Sequence, residues 1–436
     1  MSEPGPLSAS IIGSFAYLTV KDRLPVIVTR VIDQLYRERI NIVDKYGEAA
    51  TEGCKEVIGR LSQLKNAIQT NKPLELLEAT DPLSPCDDSH VWNRHFEEYI
   101  STYEVPPKWF TAPWMYVECF MYAHIHESFY LCPALKDFDP FCEQKQKALL
   151  ESLSATETLA QHVLSVCSSL PSLTQEQLRQ HVINLIEISV WGNKCDLSIS
   201  SGEERSPETD LLVSLDSLRP YILVNHSSPL WQLLVSLPED QRDIVLVLDN
   251  AGFELVTDLC LMMLLTEAGL TTSLTFHVKT RPWFVSDTTH ADLFWTLDTL
   301  REKGGACSEI GNKWKKYIED GQWKVCESSF WTTPIPYSQM STVDPNLYSQ
   351  LSKASLIIFK GDLNYRKLTG DLDWPTTTNF EQALRGFCVA PLLVLRTLKG
   401  GPVVGMAERQ AEDLATTVRD WNTSGEYGVI QLCTFS

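Results

Sequence analysis

The stretch Asp243-Ile-Val-Leu-Val-Leu-Asp-Asn-Ala-Gly-Phe-Glu254 limits the possible folds more than any other part of the chain. Five consecutive apolar residues follow Asp243, a run too short for a helix. Such a run reads as a strand buried on both faces, as found inside parallel sheets. It stops at Asp249-Asn250, and after Gly252 an apolar run from Leu255 to Leu265 is long enough for a helix. Strand, polar turn and helix form the first half of a βαβ unit. Ligands of open α/β sheets collect at the carboxyl ends of the strands, where Asp249 and Asn250 would sit. Oxygen-bearing side chains there, with Glu254 one helical turn on, suit a hard cation. The simpler alternative is that Asp249 or Asn250 caps the helix.

The same grammar recurs downstream. Ser273–Lys279 reads as a second strand, followed by Val285-Ser-Asp287, with Thr288-Thr289 placed to start a helix. Ser355–Phe359 is a third, turning through Lys360-Gly-Asp-Leu-Asn-Tyr-Arg-Lys367. Pro391–Leu395 is a fourth, ending in Arg396-Thr-Leu-Lys399, and Gly428–Cys433 is expected to add an edge strand. Residues 303–350, rich in Gly, Trp and Pro, read as a long connection covering the site.

Before residue 197 the pattern is helical. Leu24, Val28, Val31, Ile32 and Leu35 share one face of a helix expected over 22–46, and Val57, Ile58, Leu61, Leu64 and Ile68 repeat the spacing. Thr174-x-x-Gln177 has the form of a capping box. His124 and His126 do not face the same way on a helix, so a metal shared between them is not expected. Trp109, Trp114 and Tyr116 read as core. Trp191-Gly-Asn-Lys-Cys-Asp196 ends the helical part, with Asn193 and Asp196 as cap residues or auxiliary site residues. The expected division is a helical subdomain over 1–197, a linker or insertion at 198–210, and an α/β domain over 211–436.

Composition excludes some partners. With 37 Lys+Arg against 56 Asp+Glu, the net charge of −19 repels nucleic acid and anionic membranes. No apolar run approaches the ~18 residues of a membrane span, and the N-terminus lacks the pattern of a signal peptide. The 12 cysteines contain no Cys-x-x-Cys pair and read as reduced thiols, which points to the cytoplasm, the nucleus remaining open.

Four strand ends thus carry Asp-Asn, Ser-Asp, Lys-Gly-Asp-x-Asn and Arg-Thr-x-Lys. In a parallel sheet those ends are neighbours, which brings acidic oxygens and cations into one small volume. Phosphate-ester hydrolysis asks for that mixture: a divalent ion to polarise the phosphoryl group, and Lys or Arg to neutralise its oxygens. Asp249, Asn250 and Asp287 offer an all-oxygen set suited to Mg²⁺ or Mn²⁺. Lys399 and Arg366 are the expected phosphate clamp, and Glu254 and Asp362 the groups for sugar hydroxyls or water. Other phosphate chemistries fit less well. The chain has no Gly-x-x-x-x-Gly-Lys-Ser/Thr, no Gly-x-Gly-x-x-Gly after a strand, no second Asp two positions after Asp249, and no Gly-x-Ser-x-Gly.

At these residues the chain resembles the damage-control phosphatases. Leu248–Glu254, Val285–Thr288, Lys360–Arg366 and the Arg396-Thr-Leu-Lys399 ending of the third subfamily carry the resemblance, joined by Gly13-Ser-Phe-Ala-Tyr17 and the Trp191–Asp196 stretch. The resemblance implies an α/β/α sandwich with a mostly parallel, Rossmann-like sheet and a helical N-terminal subdomain. It implies a metal-dependent phosphatase of sugar phosphates such as fructose 1-phosphate and fructose 6-phosphate, with Mn²⁺ or Mg²⁺ as cofactor and Co²⁺ or Ni²⁺ as substitutes. By the same resemblance Asp249, Asn250 and Asp287 hold the metal, with Asp249 and Asp287 catalytic. Glu254, Asp287, Asp362, Leu363, Asn364, Tyr365, Arg366 and Lys399 contact substrate, and Arg396 is auxiliary. The family also carries a second attribution, S-adenosylmethionine-dependent methylation of protein carboxylates, which would add a protein acceptor. For that reaction Gly400-Gly401 is a poor substitute for the usual glycine-rich loop after a first strand.

Overall fold

A computed structural model describes residues 3–78, 89–192 and 215–435. The linker expected at 198–210, and Asn193 and Asp196 before it, lie outside the described residues. A seven-stranded sheet has the order β1-β7-β6-β5-β2-β3-β4. Its strands are β1 (Ile222–Asn225), β2 (Asp243–Val247), β3 (Ser273–Val278), β4 (Trp323–Glu327), β5 (Leu356–Lys360), β6 (Leu392–Thr397) and β7 (Gly428–Cys433). All neighbours pair in parallel except β6 with β7. The four strands read from the sequence are therefore adjacent, as β6-β5-β2-β3, with their carboxyl ends along one edge.

Period-2 alternation separates the layers. Ile244 and Leu246 of β2, with Leu274, Phe276, Leu356 and Ile358, join a core under the helices Leu153–Ser169, Gln175–Val190, Phe253–Glu267, His290–Lys303 and Gly305–Glu319. Val245, Val247, Ile357, Phe359, Leu392 and Val394 face a second core with the helices Pro345–Leu351 and Gly361–Thr369. This is the α/β/α sandwich expected. A third core holds apolar residues from 9 to 141 together with Trp283 and Leu363, so the earlier helices pack on one another and this core reaches the sheet half at the loop residue Trp283 and at Leu363 on the helix Gly361–Thr369. The helices at 153–190 belong instead to the sheet's own layer. Among the described residues no helix is long and apolar enough to cross a membrane.

Several expectations change. The strand Gly428–Cys433 forms, but it lies inside the sheet between β1 and β6. The edge is β1, whose four residues are too few to show a period. The segment 303–350 is more than a connection: it contains the helix Gly305–Glu319, which buries Cys307, Ile310 and Trp314, and the opposite edge strand β4. The helix expected over 22–46 is two, Leu24–Arg37 and Arg39–Tyr46, preceded by a π-helical turn at Thr19–Arg23. The Thr174–Gln177 capping box is present, and Trp109, Trp114 and Tyr116 are buried.

Lys367 pins the site-bearing helix Gly361–Thr369 to the turn at Ser329–Thr332. It is fully buried, donates to the Phe330 carbonyl at 3.0 Å, and lies 4.9 and 5.0 Å from the Phe330 and Tyr337 ring centroids. Burial pushes its pKa down to about 7. Between that value and the ~10.4 of an unfolded lysine, the unfolded chain holds a proton that the fold gives up, so this group makes stability rise with pH. In urea titrations the wild type should gain roughly 2–3 kcal/mol relative to Lys367→Met between about pH 7 and pH 9. Parallel stability curves for the two proteins would show that Lys367 is not a strained ammonium.

Candidate active site

The turn after β2 is built by backbone pairing to the loop after β3. Ala251 N–H donates to the Ser286 carbonyl at 2.8 Å and Thr288 N–H to the Asp249 carbonyl at 2.7 Å, and Asn250 and Asp287 form an isolated antiparallel bridge. Two residues distant in sequence are thereby fixed side by side. The helix that follows is capped by the backbone of Gly252, with no side-chain hydrogen bond. Asp249 and Asn250 are therefore not its caps, and the simpler alternative drops out.

The loop presenting Asp287 is strained. Phe284 and Val285 have φ of 45° and 69°, and a β-branched residue is a genuine outlier there. The turn is closed by hydrogen bonds from Ser286 N–H to the Phe284 carbonyl at 2.9 Å and from Asp287 N–H to the Trp283 carbonyl at 3.1 Å. Packing holds it: Phe284 stacks on Tyr122 at 4.6 Å between ring centroids, and Trp283 lies 6.3 Å from Trp92. The helical half thus holds down the loop that carries Asp287.

Around Asn250 the bonding fixes which way the amide faces. Its Nδ2 donates to Asp249 Oδ2 at 2.7 Å and to Glu254 Oε2 at 2.8 Å, and its Oδ1 accepts from Ser286 Oγ at 2.5 Å. Two carboxylates occupy both amide protons, so the carbonyl oxygen is directed away from them. A glycine is required next door. A Cβ on Gly361, which has φ of +83°, would lie 1.9 Å from Asp249 Oδ2. Gly192 plays a similar part against Glu254, whose Cα would lie 2.8 Å from an added Cβ.

Asp249, Glu254, Asp258 and Asp287 are all buried. Two buried lysines oppose them, Lys279 just after β3 and Lys360 at the end of β5. Lys279 lies 3.1 Å from Asp287 Oδ2 and donates to the Leu248 carbonyl at 3.0 Å. Lys360 pairs with Asp258 Oδ1 at 3.0 Å, donates to Ser189 Oγ at 2.7 Å, and lies 3.7 Å from Glu254 Oε1. With all of these groups ionised, four negative charges less two positive leave two uncompensated. Burial first, then Asp287 and Glu254, pushes the Asp249 carboxyl well above the ordinary range, with Lys279 and Lys399 opposing. Asp287 is raised by burial, against the pull of Lys279. Among the described residues no three His, Cys, Asp or Glu side chains converge as a metal site. A cation here would instead rest on Asp249, Asp287 and the Asn250 carbonyl. That all-oxygen set of charge −2 fits a hard divalent ion.

The remaining residues separate into spent and open groups. Lys399, just beyond β6, is exposed and acts on Asp249 electrostatically. Arg366 does not offer the open fork expected of a phosphate clamp. Its guanidinium donates to Asp371 at 2.8 and 3.0 Å and to Glu118 at 2.7 Å, and lies 3.7 Å over the Trp114 ring. Arg396 bonds Asp362 Oδ1 at 2.8 Å and the carbonyls of Pro402 and Gly400, and covers the Tyr365 ring. Asp362 keeps partial exposure. Asn364 bonds the Lys360 carbonyl at 2.7 Å and the Tyr337 hydroxyl, the Tyr365 hydroxyl accepts from Val404 N–H at 3.1 Å, and Leu363 lies in the helical core. Gly400 and Gly401 make room for Phe15 and Arg366 respectively. Lys279, Lys360, Asp258 and Ser286 were not singled out in the sequence. A lysine ending a strand buried on both faces was the available signal, because such a charge requires a buried partner.

Comparison with known proteins follows the same lines. A family model described as the damage-control phosphatase ARMT1-like domain matches residues 19–414. The chain is 44% identical over 440 residues to the Danio rerio protein named Damage-control phosphatase ARMT1, covering 99% of this chain and 97% of that one. The Mus musculus and Homo sapiens proteins of that name are 43% and 41% identical, each match covering 98% of both chains. A DUF89 family protein from Pyrococcus horikoshii, known from a crystal structure, aligns at 17% identity and a TM-score of 0.39 over 79% of this chain and 91% of that one. With a family model spanning nearly the whole chain and full-length relatives above 40% identity, the chain belongs to the damage-control phosphatase family of the ARMT1-like type.

Proposed function

We propose that the chain hydrolyses phosphomonoesters of sugars, fructose 1-phosphate and fructose 6-phosphate among them, at one divalent cation, Mn²⁺ or Mg²⁺, as part of metabolite damage control. Family membership supports phosphatase activity. The observation that carries the finer reading is the cluster of buried carboxylates at the carboxyl ends of β2 and β3. Lys399, just beyond β6, is near enough to act on the Asp249 charge.

Asp249, Asp287 and Asn250 would hold the cation, which supplies charge neutralisation for the phosphoryl oxygens. The protein's own groups do the rest. Lys399 offers a point charge to the phosphate. Glu254, already accepting from Asn250, is placed for a sugar hydroxyl or for orienting water. Asp362 holds Arg396 with one oxygen and keeps the other for substrate. Lys279 and Lys360 oppose the protonation that burial favours and hold Asp287 and Asp258 in place.

Phosphate release from fructose 1-phosphate should require Mn²⁺ or Mg²⁺ and fall below detection in Asp249→Ala. Undiminished turnover in that variant would refute the assignment. Asn250 gives a separate check. Asn250→Asp removes two hydrogen bonds donated to carboxylates and adds a third negative charge. The metal-free variant should therefore be less stable by about 2–4 kcal/mol in urea, and Mn²⁺ should recover more of that loss than it adds to the wild type. Equal stability of the two metal-free proteins would show that the amide does not hold the site together.

A further inference from the structure

Resting on the phosphatase reading, we propose that Arg23, on the π-helical turn of the N-terminal half, is a substrate-contacting residue and supplies the second cation of the phosphate clamp. Most of the cations around the site are committed, Lys145 to Asp139 and Asp292 and Lys367 to the Phe330 carbonyl among them. Lys279 is held by Asp287 and a carbonyl, Lys360 by Asp258 and Ser189, Arg366 by Asp371 and Glu118, and Arg396 by Asp362 and two carbonyls. Lys399 and Arg23 are both exposed and make no ion pair or hydrogen bond among the described residues. A phosphoryl group with a cation beneath it still presents more negative charge than one lysine offsets, and a planar guanidinium fits its oxygens bidentately.

The chain places Arg23 at the mouth of the site. Phe15 packs into the space left by Gly400, next to Lys399, since a Cβ on that glycine would lie 2.3 Å from the ring. From Phe15 a short helix at Phe15–Leu18 and the π-turn Thr19–Arg23 lead toward Tyr122. The Tyr122 phenol is kept un-ionised by burial foremost, with Glu118 and Asp287 reinforcing and Arg23 opposing. Arg23 and Asp287 therefore both act on the Tyr122 hydroxyl, and the Tyr122 ring stacks on Phe284 of the loop that presents Asp287, 4.6 Å between centroids. Phe15 also packs edge-on against Trp114 at 5.6 Å between centroids, and Trp114 and Tyr122 lie on one helix, so a segment that starts beside Gly400 and Trp114 and ends within reach of Tyr122 links the Lys399 side to the Asp287 loop. π-turns are rare and are frequently found at functional sites. Here the extra residue per turn changes where Arg23 points relative to Phe15.

The test compares wild type with Arg23→Gln and Arg23→Lys. It reads Mn²⁺ affinity by calorimetry, orthophosphate binding to the Mn²⁺-loaded protein, and kcat and KM on fructose 1-phosphate. Arg23→Gln should weaken orthophosphate binding and raise KM each about tenfold or more, with Mn²⁺ affinity unchanged and Arg23→Lys recovering part of the loss. Orthophosphate binding as tight in Arg23→Gln as in wild type, with wild-type turnover intact, overturns the Arg23 assignment and leaves the phosphatase reading standing. A parallel fall in Mn²⁺ affinity also overturns it, because Arg23 would then be acting on the fold. Wild-type protein that neither binds orthophosphate nor releases it from any ester overturns both.

Discussion

Burying four carboxylates together is the constraint on which the rest of the structure depends. Asp249, Glu254, Asp258 and Asp287 sit at or just beyond the ends of β2 and β3 with almost no contact with water. An isolated buried carboxylate costs several kcal/mol and takes up a proton rather than stay charged. The fold answers with ammonium groups brought in from the strands themselves, Lys279 from β3 and Lys360 from β5. Each is placed where its strand ends and the backbone leaves the sheet. The order β5-β2-β3 lets Lys360 reach Asp258, which follows β2, and lets Lys279 reach the Leu248 carbonyl at the end of β2 as well as Asp287. The compensation is incomplete by design of the site, since two lysines cannot neutralise four carboxylates.

The second dependency is between the two halves. The loop from Lys279 to Asp287 contains backbone that L-residues avoid, and its pairing with the turn after β2 is reinforced from outside the sheet half. Tyr122 and Trp92, both from the helical half, lie against its aromatic residues. On the other side of the cleft, Arg366 leaves the helix after β5 and is gripped by Glu118 of the helical half and by Asp371. Asp371 also accepts from Met115 N–H at the start of the helix Trp114–Tyr130. A single helix of the N-terminal half thus braces both loops that frame the site. Small displacements of that helix would reach Asp287 and the Gly361 turn together, so the geometry is a property of both halves.

Much of this was legible in the sequence, and the limits have physical reasons. Continuous apolar runs of four or five residues bounded by polar turns mark β2, β5 and β6, while β3, Ser-Leu-Thr-Phe-His-Val, alternates instead. β1 has four residues. β4, at the other edge, has a face toward solvent, and its Trp-Lys-Val-Cys-Glu sequence carries no continuous run. The position of β7 inside the sheet depends on pairing with β1, which the sequence does not display. Asp249, Asn250 and Asp287 could be found because their strand ends are neighbours in any parallel sheet. The side-chain partners could not. Arg366 reads as available in sequence, but Asp371, five residues on, and Glu118, far upstream, both reach it first.

That failure shows how cations divide in such a site. Lysine and arginine side chains are chemically the same whether they hold a fold together or await a ligand, so residue type cannot assign the role. Burial and pairing can. Lys279, Lys360, Arg366 and Arg396 are buried and each faces an acid, so drawing any of them toward a substrate would strand that acid in a low-dielectric interior, at a cost above what one phosphate contact returns. Lys399 and Arg23 leave nothing behind when they move. A ligand arriving at the mouth therefore draws on the exposed cations, while the buried ones keep the carboxylates in place. The site can respond to substrate at its rim without disturbing the charges that define its centre.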